Sequence, residues 1–368
     1  MTGSFVIAAH RTPVAPRGGK LSHLLPHELA APTIRACLSN AGLDASNVDE
    51  LIAGNALGAG GNPARLVALA AGLPETVAGL SIDRQCCGGL DALLLADAMI
   101  KAGQAKIVIA GGVESYSRRP LRYATSNDGT PPLPYDQPPF SPWPNRDPDM
   151  AEAADALAQK LGISKQLQDT WAIESHKKAL AAGPRLSAEI VAHGALDHDA
   201  YTRNLTQGLC DRAKVISGSI TTANTSVAAD AAAFCLIVSE DIAAKFNGSR
   251  MRIMNGATLG AAPELPGLAP VAPINSALSK ANFKPSDISV AEIMEAYAAQ
   301  AIACVEQAGI DEDVTNLGGG SLARGHPIGA SGAILAVRLF HELTARNGVG
   351  LAAIAAAGGL GTAVLFEA

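Results

Sequence analysis

Residues 88–115 read GGLDALLLADAMIKAGQAKIVIAGGVES and contain one complete α/β unit. Two glycines open a long apolar helix, a short polar break follows, and a buried strand runs into a second pair of glycines. Residues 329–361, GASGAILAVRLFHELTARNGVGLAAIAAAGGLG, follow the same plan. Ala-rich helices can resemble each other by chance, but a duplicated unit is the more economical interpretation. The repeat therefore predicts two similar halves.

The rest of the chain also alternates between the two kinds of secondary structure. Apolar runs at 4–9 (SFVIAA) and 48–54 (VDELIAG) predict strands, whereas residues 28–41 and 89–102 predict helices. Such alternation is typical of α/β proteins whose sheets are covered on both faces. With 368 residues, 48% of them hydrophobic, the chain can form two or three structural units.

The middle of the chain has a different texture. Residues 131–148, PPLPYDQPPFSPWPNRDP, contain eight prolines, which exclude a regular helix or a central strand. Two helical stretches follow, separated at Gly162–Ile163, with Ser164 as the expected N-cap of the second.

This change of texture predicts an inserted domain. We expect residues 118–220 to form a mostly helical loop domain that covers a site on the core. Residues 1–117 together with 221–248 would form the N-terminal half, and residues 249–368 the C-terminal half.

Composition excludes several classes of function. A net charge of −6 argues against general binding to nucleic acid or to anionic membranes. The apolar run at 5–9 is too short for a signal peptide or a membrane span. The six cysteines have neither metal-ligand spacing nor the density of a disulfide framework. We therefore expect a reduced, cytoplasmic protein without a metal site.

Two adjacent cysteines, Cys86 and Cys87, stand directly before Gly88 and Gly89 at the start of the first repeated helix. The partial positive charge of a helix start favours a thiolate, and glycines let a substrate approach the backbone. Free cysteines are also common fillers of protein cores. The local sequence therefore leaves a nucleophile and a packing residue about equally plausible.

A second glycine-rich stretch, GGGSLARGHPIGASGA at 318–333, holds His326 at the start of the other repeated helix. It lacks the strand–GxGxxG–helix order of a dinucleotide site. A loop histidine is often only solvated. Here the surrounding glycines leave room for a ligand, and an imidazole can act as the base toward a thiol.

Six stretches in the same order resemble the motifs of the thiolases, the family of acetyl-CoA acetyltransferases and 3-ketoacyl-CoA thiolases. The six are RTPVAPRGGKL (11–21), GNALGAGGNPARLVALAAGLP (54–74), DRQCCGGL (83–90), TTANTSVAADAAA (221–233), EIMEAYAAQ (292–300) and GHPIGASGA (325–333). The resemblance implies a five-layer αβαβα sandwich of two duplicated halves with an inserted loop domain. It also implies a homodimer or a homotetramer.

The resemblance assigns roles to particular residues. Cys86 would be the nucleophile and Cys87 a structural neighbour. The Cys86 thiolate would attack a thioester or ketone carbonyl and become acylated. His326 would take its proton and donate a hydrogen bond to the thioester oxygen, and the main-chain N–H groups of Cys86 and Ala357 would form an oxyanion hole. Coenzyme A thioesters are the implied substrates, with no metal or redox cofactor.

The chain also departs from the motifs that it resembles. Ala355 stands where the family has a second cysteine that moves a proton at the α-carbon of the other acyl-CoA. Met294 stands where the family has an asparagine that holds an oxyanion-hole water, and a thioether cannot position water as an amide does. Gly88 replaces a serine. Ser226, beside the pantetheine arm, and Ala296 remain expected substrate contacts.

Together these features predict a thiolase-like acyl-CoA acyltransferase whose carbon–carbon step is impaired. Acyl transfer to a non-carbon acceptor is an alternative within the same enzyme class. A non-catalytic acyl-CoA-binding or scaffold protein is the alternative from another class. Arg118, Arg119 and Arg122 form either a solvated basic turn or contacts to the phosphates of coenzyme A.

Overall fold

The computed structural model of the protein describes residues 3–58 and 60–368. Met1, Thr2 and Ala59, which belong to the predicted N-terminal half, lie outside the described residues. The helices are α1 (Pro26–Ala41), α2 (Pro63–Ala71), α3 (Gly88–Lys101), α4 (Met150–Leu161), α5 (Lys165–Leu186), α6 (Gln207–Asp211), α7 (Glu240–Ala243), α8 (Val271–Ala281), α9 (Ala298–Ala308), α10 (Ser321–Arg324) and α11 (Ile328–Thr344).

The strands are β1 (Ser4–Arg11), β2 (Ala15–Pro16), β3 (Glu50–Gly54), β4 (Leu80–Ile82), β5 (Ile107–Ser115), β6 (Arg122–Ala124), β7 (Leu133–Tyr135), β8 (Val215–Ser217), β9 (Ile220–Thr221), β10 (Ala229–Ser239), β11 (Met251–Gly260), β12 (Ile288–Ile293), β13 (Val349–Ala356) and β14 (Leu360–Glu367).

The main sheet repeats one topology twice. Its order is β12-β13-β14-β11-β1-β10-β5-β3-β4, with β2 paired to β10. In the first half β3 runs parallel to β5, which is antiparallel to β10; in the second half β12 runs parallel to β13, which is antiparallel to β14. The halves meet where β1 pairs with β11 over Ser4–Val6. The duplication predicted from the repeated α/β unit is confirmed.

The helices occupy three layers around the two halves of this sheet. The two repeated helices, α3 and α11, pack against each other and against strands of both halves in the centre of the molecule. Helices α1 and α2 cover the outer face of the first half, and α8 and α9 cover that of the second. The arrangement is the expected five-layer αβαβα sandwich.

Glycines allow the two central helices to approach closely where they begin. A Cβ atom on Gly89 would lie 2.7 Å from the carbonyl oxygen of Gly329, and one on Gly112 would lie 2.0 Å from that same oxygen. Both distances are below any normal contact, so these positions require glycine. The close approach brings the start of α3 beside the start of α11, and therefore brings the two glycine-rich motifs together.

The central part of the chain contributes helices and two small hairpins. Ser164 caps α5 as predicted, because its hydroxyl accepts a hydrogen bond from the N–H of Leu167 at 3.1 Å. The proline-rich stretch contains no helix longer than one 3-10 turn, at Pro144–Arg146. Helix α4 packs against α9 of the second half and thereby covers part of the core. Within the described residues, no helix is long and apolar enough to cross a membrane.

Candidate active site

A cavity of about 530 Å³ opens between the core and helix α4. Six of the seven positions singled out for substrate chemistry in the sequence line its wall; they are Cys86, Ser226, Ala296, His326, Ala355 and Ala357. Met294 is the exception. The structure thus brings together residues that are separated by up to 271 positions in the chain, which identifies this cavity as the candidate active site.

The two adjacent cysteines have different environments. Cys86 lies in a single 3-10 turn, Gln85–Cys87, immediately before α3, and it borders the cavity. Gln85 has a left-handed φ of 50°, an uncommon conformation for a residue other than glycine. Cys87 is fully buried, and its thiol donates toward the carbonyl oxygen of Ile354 at 3.7 Å. The geometry therefore favours Cys86 as the nucleophile and Cys87 as a packing residue.

His326 lies directly against the Cys86 thiol. Its Nε2 is 3.2 Å from the Cys86 Sγ, and its Nδ1 is 2.7 Å from the Oγ of Ser331. The main-chain N–H of His326 donates to the carbonyl oxygen of Val227 at 2.7 Å, which fixes the loop. A proton on Nδ1, directed at Ser331, leaves Nε2 free to accept the proton of the thiol.

Burial sets the charge of this pair. Burial raises the pKa of Cys86, and the neighbouring Cys87, Glu114 and Asp83 raise it further. Burial also lowers the pKa of His326 to about 4. The resting pair is therefore a neutral thiol and a neutral imidazole. This neutral thiol differs from the thiolate that a helix start favours, because burial raises the pKa of Cys86 against the effect of the helix charge.

The main-chain N–H groups of Cys86 and Ala357 belong to residues that line the cavity. Ala357 follows β13 in the turn that leads into β14, and Cys86 lies in the turn before α3. Neither N–H group has a hydrogen-bond acceptor among residues 3–58 and 60–368. Unengaged donors beside a nucleophile can stabilise the negative charge of a tetrahedral intermediate. These are the two groups that would form the oxyanion hole predicted from the sequence.

The two departures from the motifs lie in different surroundings. Ala355, near the end of β13, presents its methyl group at the cavity wall. Met294 is almost fully buried in the central core, and the Ser321 hydroxyl, which donates to the Glu295 carbonyl oxygen at 3.0 Å, lies 3.4 Å from its sulfur. Position 294 thus supplies packing, and no polar atom of its side chain reaches the cavity.

Ser226 and Ala296 are joined through their backbones. The N–H of Ser226 donates to the carbonyl oxygen of Ala296 at 3.0 Å, and the Ser226 hydroxyl donates to the carbonyl oxygen of Glu295. The carboxylate of Glu295 in turn accepts hydrogen bonds from Trp171 and Asn316. These contacts fix both residues on the cavity wall.

Glu114 is a buried residue that sequence analysis did not single out. Its carboxylate accepts from the Ala56 N–H at 3.0 Å, from the Asn55 side-chain amide at 2.9 Å and from the Gly329 N–H at 3.1 Å. Burial raises the pKa of Glu114 to about 7. Glu114 thereby joins a loop of the first half to the start of α11, close to His326.

Two of the three arginines that we considered for phosphate binding have internal partners. Arg119 pairs with Asp136 and lies over the ring of Tyr116 at 4.5 Å. Arg122 donates to the carbonyl oxygen of Leu57 at 3.0 Å. Arg118 is exposed to solvent. Arg119 and Arg122 thus have internal partners, and Arg122 also lines the cavity.

Comparisons with known proteins give consistent matches over nearly the whole chain. The thiolase N-terminal domain family matches residues 4–241 and the thiolase C-terminal domain family matches residues 249–368. A Bacillus subtilis protein named "Putative acetyl-CoA C-acetyltransferase YhfS" is 41% identical over 98% of each chain. The crystal structure of the Bacillus anthracis acetyl-CoA acetyltransferase is 31% identical, with a TM-score of 0.92 over 100% of this chain and 99% of that one.

A second solved structure is similar to the same degree. Human mitochondrial 3-ketoacyl-CoA thiolase, crystallised in complex with CoA, is 29% identical to this chain. Its TM-score is also 0.92, over 100% of this chain and 98% of that one.

Proposed function

The chain belongs to the thiolase family, and from this premise we propose that it is an acyl-CoA acyltransferase that works through a thioester on Cys86. The observation that carries the proposal is the 3.2 Å contact between the Cys86 Sγ and the His326 Nε2 at the wall of the cavity. Similar proteins named as acetyl-CoA C-acetyltransferases, and the CoA complex of the human thiolase, support acyl-CoA as the substrate and coenzyme A as the product.

The first half of the reaction uses groups that are already in place. The Cys86 sulfur attacks the thioester carbonyl carbon while His326 takes the thiol proton at Nε2. The electron pair of the carbonyl moves onto its oxygen, next to the N–H groups of Cys86 and Ala357. Collapse of this intermediate breaks the bond to the coenzyme A sulfur. The departing sulfur takes the proton back from His326, leaving acyl-Cys86 and free coenzyme A.

The second half of a carbon–carbon reaction needs another proton-transfer group. A second acyl-CoA must lose a proton from its α-carbon before it can attack the acyl-enzyme. Ala355 presents only a methyl group where the family resemblance implies the cysteine that does this. We therefore propose that the acyl-enzyme forms readily while condensation and thiolysis are slow.

The same observation favours a second candidate within this enzyme class. An acceptor with its own nucleophilic oxygen, nitrogen or sulfur needs no proton removed from carbon, so Ala355 would not impair transfer to it. A non-catalytic acyl-CoA-binding or scaffold role is the remaining alternative. It predicts that acyl-CoA binds without acylating Cys86.

We also propose a cofactor requirement, a cellular compartment and an oligomeric state for the enzyme. No metal or redox cofactor takes part, because a thiol and an imidazole supply the nucleophile and the base. The six free cysteines support a reducing, cytoplasmic environment. We propose a homodimer or a homotetramer, supported by Leu80 in the short edge strand β4 and by Leu66 and Leu69 in the adjacent α2, whose side chains are exposed.

The test is mass spectrometry of the intact protein after incubation with acetyl-, butyryl- and octanoyl-CoA. The proposal predicts a mass increase of one acyl group and release of one equivalent of coenzyme A. Addition of a second acyl-CoA, hydroxylamine or a thiol then measures how fast each acceptor removes the acyl group. Binding of acyl-CoA without any adduct on Cys86 would establish the scaffold alternative in its place.

A further inference from the structure

One polar group on the cavity wall has no role in the reaction described above. Tyr297 follows Ala296 directly and precedes the first turn of α9. The stretch EIMEAYAAQ resembles the thiolase motif Asn-Glu-Ala-Phe, and Tyr297 stands at its phenylalanine position. The cavity wall contains Tyr297 together with Cys86, His326 and Ala355. Compared with phenylalanine, Tyr297 adds a hydroxyl group to a residue of the cavity wall.

The ring of Tyr297 is held by apolar contacts and its hydroxyl is left unengaged. The ring packs against the cluster that includes Ala154 and Leu157 of α4 and Ala299 of α9. Within the described residues, the Tyr297 hydroxyl forms no hydrogen bond. The hydroxyl oxygen is also not fully buried. A half-buried phenol that packs through its ring and bonds to nothing in the protein is available to a ligand.

The electrostatic surroundings keep this phenol neutral. Burial raises the pKa of Tyr297, and the nearby Asp149 and Cys86 raise it further. The group is therefore a hydrogen-bond donor, and not a base, at any pH at which the enzyme would work. Tyr297 and Cys86 line the same cavity, so their side chains can act on the same bound molecule.

We propose that the Tyr297 hydroxyl donates a hydrogen bond to the thioester carbonyl oxygen of the acyl-CoA bound beside Cys86. The inference rests on the proposed acyl transfer. The hydroxyl keeps its proton throughout and stabilises the negative charge that develops on that oxygen. Tyr297 thereby supplies a side-chain donor at the cavity wall, which the Met294 side chain does not reach.

The chain offers a matched pair of variants for the test. Tyr297→Phe removes only the hydroxyl oxygen and restores the aromatic residue of the motif, so the apolar contacts of the ring are kept. Tyr201→Phe removes the same atom from a half-buried tyrosine outside the cavity, where the Arg203 guanidinium lies 4.1 Å from the ring centroid. The measured quantity is the rate constant of Cys86 acylation by saturating acetyl-CoA, from rapid quench and intact mass.

Tyr297→Phe should lower this rate constant by about 10²-fold, the effect typical of losing one oxyanion donor. The acetyl-CoA concentration for half-maximal rate should stay nearly constant, and Tyr201→Phe should match the wild type. Thermal unfolding should show that both variants are folded. A Tyr297→Phe rate equal to that of the wild type, or a change in half-saturation alone, overturns the inference and leaves the proposed function intact. Absence of an adduct in the wild type instead rejects the proposed function, and the inference with it.

Discussion

The two walls of the candidate active site differ in how much chemistry they contain. The wall around Cys86 has a nucleophile, a neutral base at 3.2 Å and a hydroxyl that orients this base. The second wall, at the end of β13, offers the methyl group of Ala355, and Met294 is buried in the core. Acyl-enzyme formation uses the first wall and main-chain N–H groups, which survive most side-chain changes. Removal of a proton from the α-carbon of the second acyl-CoA depends on the second wall. Acyl-enzyme formation and the carbon–carbon step can therefore be affected independently in this chain.

The largest expected effect is loss of the nucleophile. Cys86→Ala should abolish covalent acylation, because no other thiol contacts His326 among the described residues. Cys87→Ala is the matched control. It deletes a buried sulfur whose thiol bonds to the Ile354 carbonyl, so acylation should persist at some cost in stability. Peptide mapping after treatment with acetyl-CoA measures both. An adduct on Cys87 would reverse the roles of the two cysteines.

The positions of Cys86 and His326 at two helix starts could be predicted from the local sequence, whereas their roles were implied by the resemblance to the thiolase motifs. The cysteine pair and the histidine each stand in a glycine-rich turn before a repeated helix, and duplicated units meet at equivalent ends. The role of Ser331 depends on its position one turn into α11, and that of Glu114 on contacts across more than 200 residues. No local pattern marks such contacts.

Electrostatics were the weakest part of the sequence prediction. A helix start lowers the pKa of a thiol only when solvent or a partner cation is also present, and the sequence does not reveal how deeply the sulfur is buried. The internal partners of Arg119 and Arg122 were equally invisible, because Asp136 and the Leu57 carbonyl approach them only after folding. A sequence shows which charged side chains are present, whereas the fold determines which of them are free to bind a ligand.

A second prediction concerns the wall at Ala355, which lacks a proton-transfer group. Ala355→Cys introduces a thiol at the cavity surface, where the resemblance implies the missing proton-transfer group. We expect acetoacetyl-CoA thiolysis to rise by about 10²-fold, the lower end of the range for a positioned acid or base. The rate of Cys86 acylation should change little. Ala355→Ser, with a hydroxyl of similar size and much higher pKa, is the control and should give a far smaller gain. If the wild-type enzyme cleaves acetoacetyl-CoA with a kcat of about 10 s⁻¹, another group already moves the proton.

A third prediction concerns pH and the first wall. Because the pKa of His326 is lowered to about 4, its imidazole stays neutral, and able to accept a proton, well below neutral pH. Acylation should hold nearly constant from pH 7 to pH 5 and fall as pH approaches 4. A base with the ordinary pKa of 6.5 would already be about 30-fold weaker at pH 5.

The pH profile is measured as the initial rate of Cys86 acylation, with circular dichroism at each pH to confirm that the protein is folded. His326→Asn, whose amide can still bond to Ser331 but cannot take a proton, should be slower by about 10²–10⁴-fold and lack this dependence on imidazole protonation. A half-loss near pH 6.5 in the wild type would mean that His326 is better solvated than its burial indicates.

The smallest expected effect tests how the base is oriented. Ser331→Ala removes the acceptor 2.7 Å from the His326 Nδ1, so the proton can move to Nε2 and block transfer from Cys86. The main-chain N–H of His326 keeps its hydrogen bond to the Val227 carbonyl oxygen. We expect acylation to slow by about tenfold, the lower end of the effect seen when a metal-bound histidine loses its second partner. The acetyl-CoA concentration for half-maximal rate should be unchanged, because Ser331 does not line the cavity.

The control is Ser187→Ala, which deletes an exposed hydroxyl bonded to the Pro184 carbonyl and should have no effect. A loss in Ser331→Ala that appears only as weaker acetyl-CoA binding or lower thermal stability would assign Ser331 to packing, and the histidine would then owe its orientation to the loop alone.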